Sequence, residues 1–380
     1  MPSRPVVPPI DLASTFAFDS NAELAAAVQD GKDHLYARWS SPTVDVVEQA
    51  IAELEGAERS LLVASGMAAI HVALLAAVGE GPGTLLVQQE VYGGTHELVK
   101  SVRWPTGVEV VRASLNDLPG AAAEVKQGVI YLETPTNPLV RVVDIAAVRA
   151  ACGPDVCIVV DATFGSPSLR RPLSEGADLV LHSVTKAMGG HHDVVGGVVS
   201  GGGELMDAVW RWRKILGPTL DPAAAYRVWR GLQTLDLRVE RQSRTASELA
   251  RRLREHPLVE AVHHPSLPGH PDAALVRATH REGFGGGVLS FEVSTGAEAA
   301  EVVDGCRHIL IAASLGGVHT LITWPAGVTH ANVPEAEQRA AGVSPGLLRL
   351  AVGLEDVELL WSDLTEALSR LDRSSRRSAK

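Results

Sequence analysis

The sequence repeatedly sets a short, almost wholly apolar run beside a segment with helical spacing. "SLLVASG" leads into "MAAIHVALLAAVG", and "GTLLVQQ" precedes a helix expected from Thr95. "GVIYLETPTNP" comes before a helix at 144–151, and "VCIVVDATF" is followed by "DLVLHS". Strands apolar on both sides need cover on both sides, so the alternation predicts a mainly parallel sheet between layers of helices. Upstream, "PTVDVVEQAIAELEGA" spaces Val44, Val47, Ile51 and Leu54 as one helix face and stops at Gly56. Beyond about residue 200 the pattern changes. One long helical stretch, "PAAAYRVWRGLQTLDLRVERQSRTASELARRLREH", gives way to isolated strands in "VEAVHHP", "GGVLSFEV", "HILIAAS" and "LLRLAVG". The expected organisation is an arm at 1–44, a large α/β domain at 45–240 and a smaller α+β domain at 241–380.

Charge and cysteine content narrow the possible partners. The chain carries 45 acidic against 34 basic residues, a formal charge of -11, with no basic face to neutralise nucleic-acid phosphates. Its three cysteines, Cys152, Cys157 and Cys306, have neither a disulfide count nor CxxC spacing, which fits a reducing cytoplasm. The opening "MPSRPVVPPIDLAST" lacks the apolar core of a signal peptide, and nowhere do about eighteen apolar residues run unbroken. A soluble cytoplasmic protein without membrane or nucleic-acid partners is expected.

In open α/β sheets ligands lie beyond the carboxyl ends of the strands. Those ends carry an unusual set of groups. Ser65, Gly66 and Met67 open a helix, where free backbone N–H groups and the helix dipole favour a phosphate. Tyr92, Asn137, Asp161, Thr163, Ser183, Thr185 and Lys186 follow at successive strand ends. Taken singly each has a plain explanation: a solvated lysine, an aspartate capping a helix, a tyrosine in a turn. Jointly they meet the needs of pyridoxal 5′-phosphate, which wants an amine for its aldehyde, an acid for its ring nitrogen and a cradle for its phosphate. Lys186, Asp161 and the Gly66/Met67 turn with Ser183 and Thr185 supply these. No GxGxxG opens a helix after the first strand and no GxxxxGK[ST] occurs, so nicotinamide and nucleotide cofactors fit less well.

The run His191-His192-Asp193 invites a metal reading, but adjacent residues point different ways and no HExxH is present. A loop is expected there, with Gly189, Gly190, Gly196 and Gly197 admitting close backbone approach to the cofactor.

With these residues on the page, the chain resembles the Cys/Met-metabolism family of pyridoxal-phosphate enzymes, whose members include cystathionine γ-synthases, cystathionine γ- and β-lyases and methionine γ-lyases. The motifs run almost end to end: "PPIDLASTFAF", "YARWSSPT", "SGMAAI", "VYGGT", "ETPTNPL", "VVDATF", "HSVTKAMGGHHDVVGG", "RGLQTLDLR", "GFGGGVLSFEV", "SLGGVHTLITWPAGVTHA" and "GLLRLAVGLED". The resemblance implies an aminotransferase-type (fold type I) architecture. It implies that Lys186 carries the cofactor and shuttles protons, Asp161 pairs with the pyridine nitrogen, Tyr92 stacks on the ring and exchanges protons with substrate, and Asn137 meets the ring hydroxyl. Gly66, Met67, Ser183 and Thr185 would hold the phosphate, with Tyr36 and Arg38 completing that site from a neighbouring subunit of a homotetramer. Ser314 and Arg349 would hold the substrate carboxylate, a planar group that suits the arginine fork.

Some positions depart from the family pattern. Ser41, Ala162 and His192 stand where asparagine, asparagine and serine are usual. Leu35, Glu97 and Ala313 occupy places that are often differently charged in cystathionine-handling members, and the uncharged Leu35 and Ala313 lean toward a methionine γ-lyase-like pocket. Gly94, where methionine γ-lyases often carry cysteine, leans the other way. The expected activity is γ-elimination of a sulfur amino acid, giving a thiol, 2-oxobutanoate and ammonia. Its rivals are γ-replacement on an O-acyl homoserine, a binding protein that kept the fold without turnover, and a metal-dependent hydrolase built on His191 and His192.

Overall fold

The structure is a computed structural model that describes residues 5–30, 34–328, 338 and 342–378. Residues 1–4 and 31–33 of the expected arm, and the last three residues of "SLGGVHTLITWPAGVTHA", lie outside that set.

Among the described residues the larger sheet has seven strands: β1 (Arg59–Val63), β2 (Gly83–Gln88), β3 (Val108–Ala113), β4 (Gly128–Glu133), β5 (Val156–Asp161), β6 (Leu179–His182) and β7 (Gly197–Gly201). Their order is β1-β7-β6-β5-β4-β2-β3, and every pairing is parallel except those of β7 with β1 and β6. The two-sided cover foreseen from the apolar runs is present residue by residue. On β4, Val129 and Tyr131 join the cluster under the helices Gly66–Val78 and Gly203–Leu216, while Ile130 and Leu132 join the one under Leu118–Glu124 and Ile145–Ala151. The helix starts and stops follow local rules. Ser65 caps Gly66–Val78 through Ala68 N–H, Asp144 caps Ile145–Ala151 through Ala147 N–H, and Pro42–Glu55 ends at the left-handed Gly56.

A five-stranded sheet follows, ordered β10-β11-β12-β9-β8, from β8 (Ala261–His263), β9 (Val288–Glu292), β10 (Leu310–Ile311), β11 (Leu321–Thr323) and β12 (Leu347–Ala351). Its core gathers Leu249, Leu253, Phe291, Ile322, Leu348, Leu364 and Leu368. Two polar links tie this sheet to the loop after β4. Ser290 Oγ donates to Pro138 O at 2.7 Å, and Asp272 accepts from Arg141 Nε at 2.7 Å and from Val142 N at 2.8 Å.

Two expectations need correction. The long helical stretch divides into Pro222–Leu232 and Leu235–Arg254. The break follows Gly231, which lies so close to the carbonyls of Met188 and Gly189 that no side chain fits, and whose own carbonyl accepts from Arg238 Nη2 at 2.6 Å. The glycines after Asp193 also do something other than expected. A Cβ on Gly197 would lie 2.2 Å from Ser65 O, and one on Gly196 would meet Val184 and Leu220, so both abut protein, and Gly197 begins β7. None of the helices among the described residues is long and apolar enough to cross a membrane.

Because the obstacle at Gly197 is backbone, it has no rotamer to retreat into. Gly197→Ala is expected to cost about 1–3 kcal/mol and lower the thermal midpoint by roughly 1–4 °C. Calorimetry that finds the midpoint unchanged contradicts this packing.

Candidate active site

The carboxyl ends of β1, β2, β4, β5 and β6 open into a cavity of about 410 Å³ whose remaining wall comes from the carboxyl-terminal residues 313–315 and Arg349. Gly66, Met67, Tyr92, Asn137, Asp161, Thr163, Ser183, Thr185, Lys186, Ser314 and Arg349 all line it. Residues spread over 284 positions of sequence are thus brought to one place by the parallel strand order.

Lys186 ends the short connection after β6. Its Nζ donates to Ser314 Oγ at 2.7 Å, a link from the larger sheet to the carboxyl-terminal residues. Burial, and then the nearby Arg349 charge, bring the amine from its ordinary 10.5 down to about 8. About a tenth is therefore neutral and nucleophilic at pH 7, far more than for an ordinary lysine. Ser314 itself sits at φ 92, a left-handed conformation that non-glycine residues avoid.

Arg349 is 4% exposed, in the middle of β12. Nη1 donates to Asn137 Oδ1 at 2.9 Å and Nη2 to Ser314 O at 3.0 Å, while the buried Nε has no hydrogen-bond partner among the described residues. Two neutral acceptors leave the guanidinium uncompensated, and burial lowers its pKa to about 10. A carboxylate ligand would supply both the missing acceptor and the missing charge.

Asp161, last residue of β5, is buried. Its Oδ1 accepts Thr163 N–H at 2.9 Å, and Tyr131 OH lies 3.4 Å from Oδ2. Burial pushes this carboxyl upward, and the Thr163 hydrogen bonds and the His182 charge oppose it. Thr163 Oγ1 accepts Ser183 N–H at 2.9 Å, which sets the spacing between the ends of β5 and β6. The anion cradle is equally tight: a Cβ on Gly66 would fall 2.8 Å from that of Ser183, so the helix start can approach only as glycine. Thr185 Oγ1 accepts Gly196 N–H at 3.0 Å and still faces the cavity.

An amine of lowered pKa, a buried acid, a helix-start cradle with two hydroxyls and an unpaired arginine nitrogen form a donor set that fits pyridoxal phosphate together with an amino-acid carboxylate. Tyr92 precedes the helix Gly93–Ser101 without a side-chain capping bond and is half exposed at the mouth. A side chain at Gly94 would strike the Tyr92 ring and Met67 Sδ, so cysteine there requires a different ring position.

Several sequence candidates lie elsewhere. Tyr36 and Arg38 are exposed on the arm, with Arg38 Nη1 donating to Lys214 O, and neither lines the cavity of its own chain. Leu35 lines a separate cavity beside Trp39 and Trp210, Glu97 is exposed on the helix Gly93–Ser101, and only Ala313 of the three specificity positions reaches the cavity. His192 stacks on His319 with ring centroids 5.8 Å apart, and His191 Nδ1 bonds Gly189 O. Among the described residues no group of three or more His, Cys, Asp or Glu is placed to hold a metal ion. Phe164, Val195, Leu315 and Glu133 also line the cavity, and the sequence analysis missed them. Glu133 had a readable signal, an acid at the end of the buried run "GVIYLE".

The comparisons with known proteins agree with this chemistry. Residues 2–369 match the family described as Cys/Met metabolism PLP-dependent enzyme. An L-methionine gamma-lyase of Streptomyces avermitilis is 40% identical over 370 residues, 95% of this chain and 84% of that protein. A cystathionine beta-lyase of Lactococcus lactis subsp. cremoris is 38% identical over 344 residues, 89% of each. The crystal structure of a cystathionine gamma synthase from Xanthomonas oryzae pv. oryzae in complex with cystathionine superposes with a TM-score of 0.88 at 39% identity, covering 97% of this chain and 94% of that one. The chain belongs to the Cys/Met-metabolism family of PLP-dependent enzymes, and its cofactor is pyridoxal 5′-phosphate.

Proposed function

We propose that the chain catalyses γ-elimination on a sulfur amino acid, releasing a thiol, 2-oxobutanoate and ammonia with uptake of one water. The observation that carries this reading is the pairing of Lys186 with Ser314 and Arg349 in one cavity, which sets a base of lowered pKa beside a carboxylate receptor. When bound, pyridoxal phosphate supplies an electron sink that acidifies the bonds next to the substrate amino group. Lys186 would hold the cofactor and, once released by substrate, would take the Cα proton at Nζ. Asp161 would keep a proton on the ring nitrogen, Gly66, Met67, Ser183 and Thr185 would hold the phosphate, and Asn137 would meet the ring hydroxyl. Thr163 sets the spacing of these groups. Tyr92, at the mouth of the cavity, would lie against the ring and exchange protons at Oη with the departing sulfur. Arg349 and Ser314 orient the substrate carboxylate.

Tyr36 and Arg38 stand outside their own cavity, which supports their serving a second copy of the chain in a homotetramer built from dimers with shared sites. The uncharged Ala313 at the cavity wall, with Val195 and Leu315, favours an apolar γ-substituent such as the methionine thioether over the second charged head of cystathionine. Similarity to a cystathionine gamma synthase keeps γ-replacement on an O-acyl homoserine as the competing reading.

A 2-oxo acid assay across methionine, cystathionine, cysteine and homocysteine is expected to show steady 2-oxobutanoate release, fastest with methionine and absent with cysteine, which has no γ-substituent. Cystathionine accumulating from O-acyl homoserine and cysteine, without oxo-acid release from any of the four, contradicts elimination. Replacing the fork while keeping the charge, Arg349→Lys, is expected to raise KM for the amino acid about 10- to 100-fold, the worth of a charge-assisted bidentate contact. An unchanged KM places the carboxylate elsewhere.

A further inference from the structure

Glu133 lies at the bottom of the cavity with no role in the chemistry above. It ends β4 directly opposite Asp161 at the end of β5, in register, so the two carboxyls project from neighbouring positions on the same face of the sheet. Glu133 is 3% exposed. Its Oε2 accepts the backbone N–H of Tyr92 at 2.6 Å, and the backbone N–H of Asn137 also acts on its carboxyl. Its own N–H donates to Gln88 Oε1 at 3.0 Å, which anchors the strand end from the β2 side. One side chain thus joins the two loops that carry the ring-facing Tyr92 and the Arg349-bound Asn137.

We propose that Glu133 is a positioning residue that acts as an uncharged acid: its carboxyl clamps the main chain of Tyr92 and Asn137 to the cavity floor and leaves Asp161 as the carboxylate that faces the cofactor ring. This rests on the cofactor lying in the cavity with its ring nitrogen toward Asp161.

The state of the pair follows from its surroundings. Two carboxyls side by side in a dry site cannot both ionise cheaply. Burial, and then the Asp161 charge, push Glu133 well above the usual carboxylate range. The N–H groups of Tyr92 and Asn137 oppose that rise at Glu133, but Asp161 has the better claim to the negative charge because Thr163 N–H and hydroxyl and the Tyr131 phenol all favour its charged form and His182 lies within its field. The buried Tyr131 phenol is pushed up as well, by burial, Asp161 and Glu133, so it stays protonated. A neutral Glu133 still accepts an N–H through its carbonyl oxygen, which glutamine can imitate and alanine cannot.

Three forms test this: wild type, Glu133→Gln and Glu133→Ala, each titrated with pyridoxal phosphate and followed by its visible absorbance across pH, with the thermal midpoint of the cofactor-free chain measured alongside. Glu133→Gln is expected to bind cofactor within about threefold of wild type and keep its absorbance titration, while Glu133→Ala binds about tenfold or more weakly, the effect of orphaning a buried N–H. If Glu133→Gln weakens binding as much as Glu133→Ala, the residue works as an anion and the proposal is overturned. It is also overturned if Glu133→Ala matches wild type. Should Glu133→Ala not fold, Glu133→Gln against wild type decides alone: retained affinity and titration support the neutral acid, and their loss overturns it. Failure of the wild type itself to bind the cofactor instead defeats its placement in the cavity, a result distinct from either.

Discussion

The structure depends on one awkward burial, that of the Arg349 guanidinium between two sheets. Arg349 comes from the middle of β12 and reaches Asn137 on the loop after β4 and the carbonyl of Ser314. Its charge is buried without a carboxylate partner among the described residues, a state that costs free energy. The same charge helps hold Lys186 near a pKa of about 8, and Lys186 in turn bonds the strained Ser314. Burial of Lys186 itself is the larger cause and the Arg349 charge adds to it, and in the proposed reading a substrate carboxylate relieves the buried cation while the amine does the work. Strain and unmet polarity at a functional site, offset by a well-packed scaffold, are a common arrangement.

That scaffold is plain in its construction. The strands of the larger sheet are apolar on both faces because helices cover both, and their parallel direction delivers Gly66, Tyr92, Asn137, Asp161 and Lys186 to one edge. The antiparallel β7 crosses between β1 and β6, and its first residue, Gly197, packs against Ser65 at the start of the cradle. The smaller sheet contributes one wall and is held there by Ser290 and Asp272 as well as by Arg349.

Much of this was legible in the sequence because the relevant signals are local. Apolar runs ending in polar residues mark the strand ends, and a ligand crevice at those ends follows from chain direction alone, so Gly66, Met67, Tyr92, Asn137, Asp161, Thr163, Ser183, Thr185 and Lys186 could be named without coordinates, while Glu133 and Phe164 were missed. Contacts made across long sequence separations were less visible. Gly231 reads as an ordinary helix residue until Met188 and Gly189 are seen against it, so the divided helix was expected whole. Glu133 reads as the end of a strand, and its closeness to Asp161 depends on which strand pairs with which. Leu35 and Glu97 were candidates by resemblance, yet the fold sets them away from the cavity of their own chain, and only Ala313 reaches it.

The central claim is that Lys186 is the amine that holds pyridoxal phosphate in this cavity. Reduction of the cofactor-loaded protein with borohydride, followed by digestion and peptide mass spectrometry, tests it directly. The account predicts a pyridoxyl group on the peptide containing Lys186 and on no other. A modified lysine elsewhere, with Lys186 intact, contradicts it.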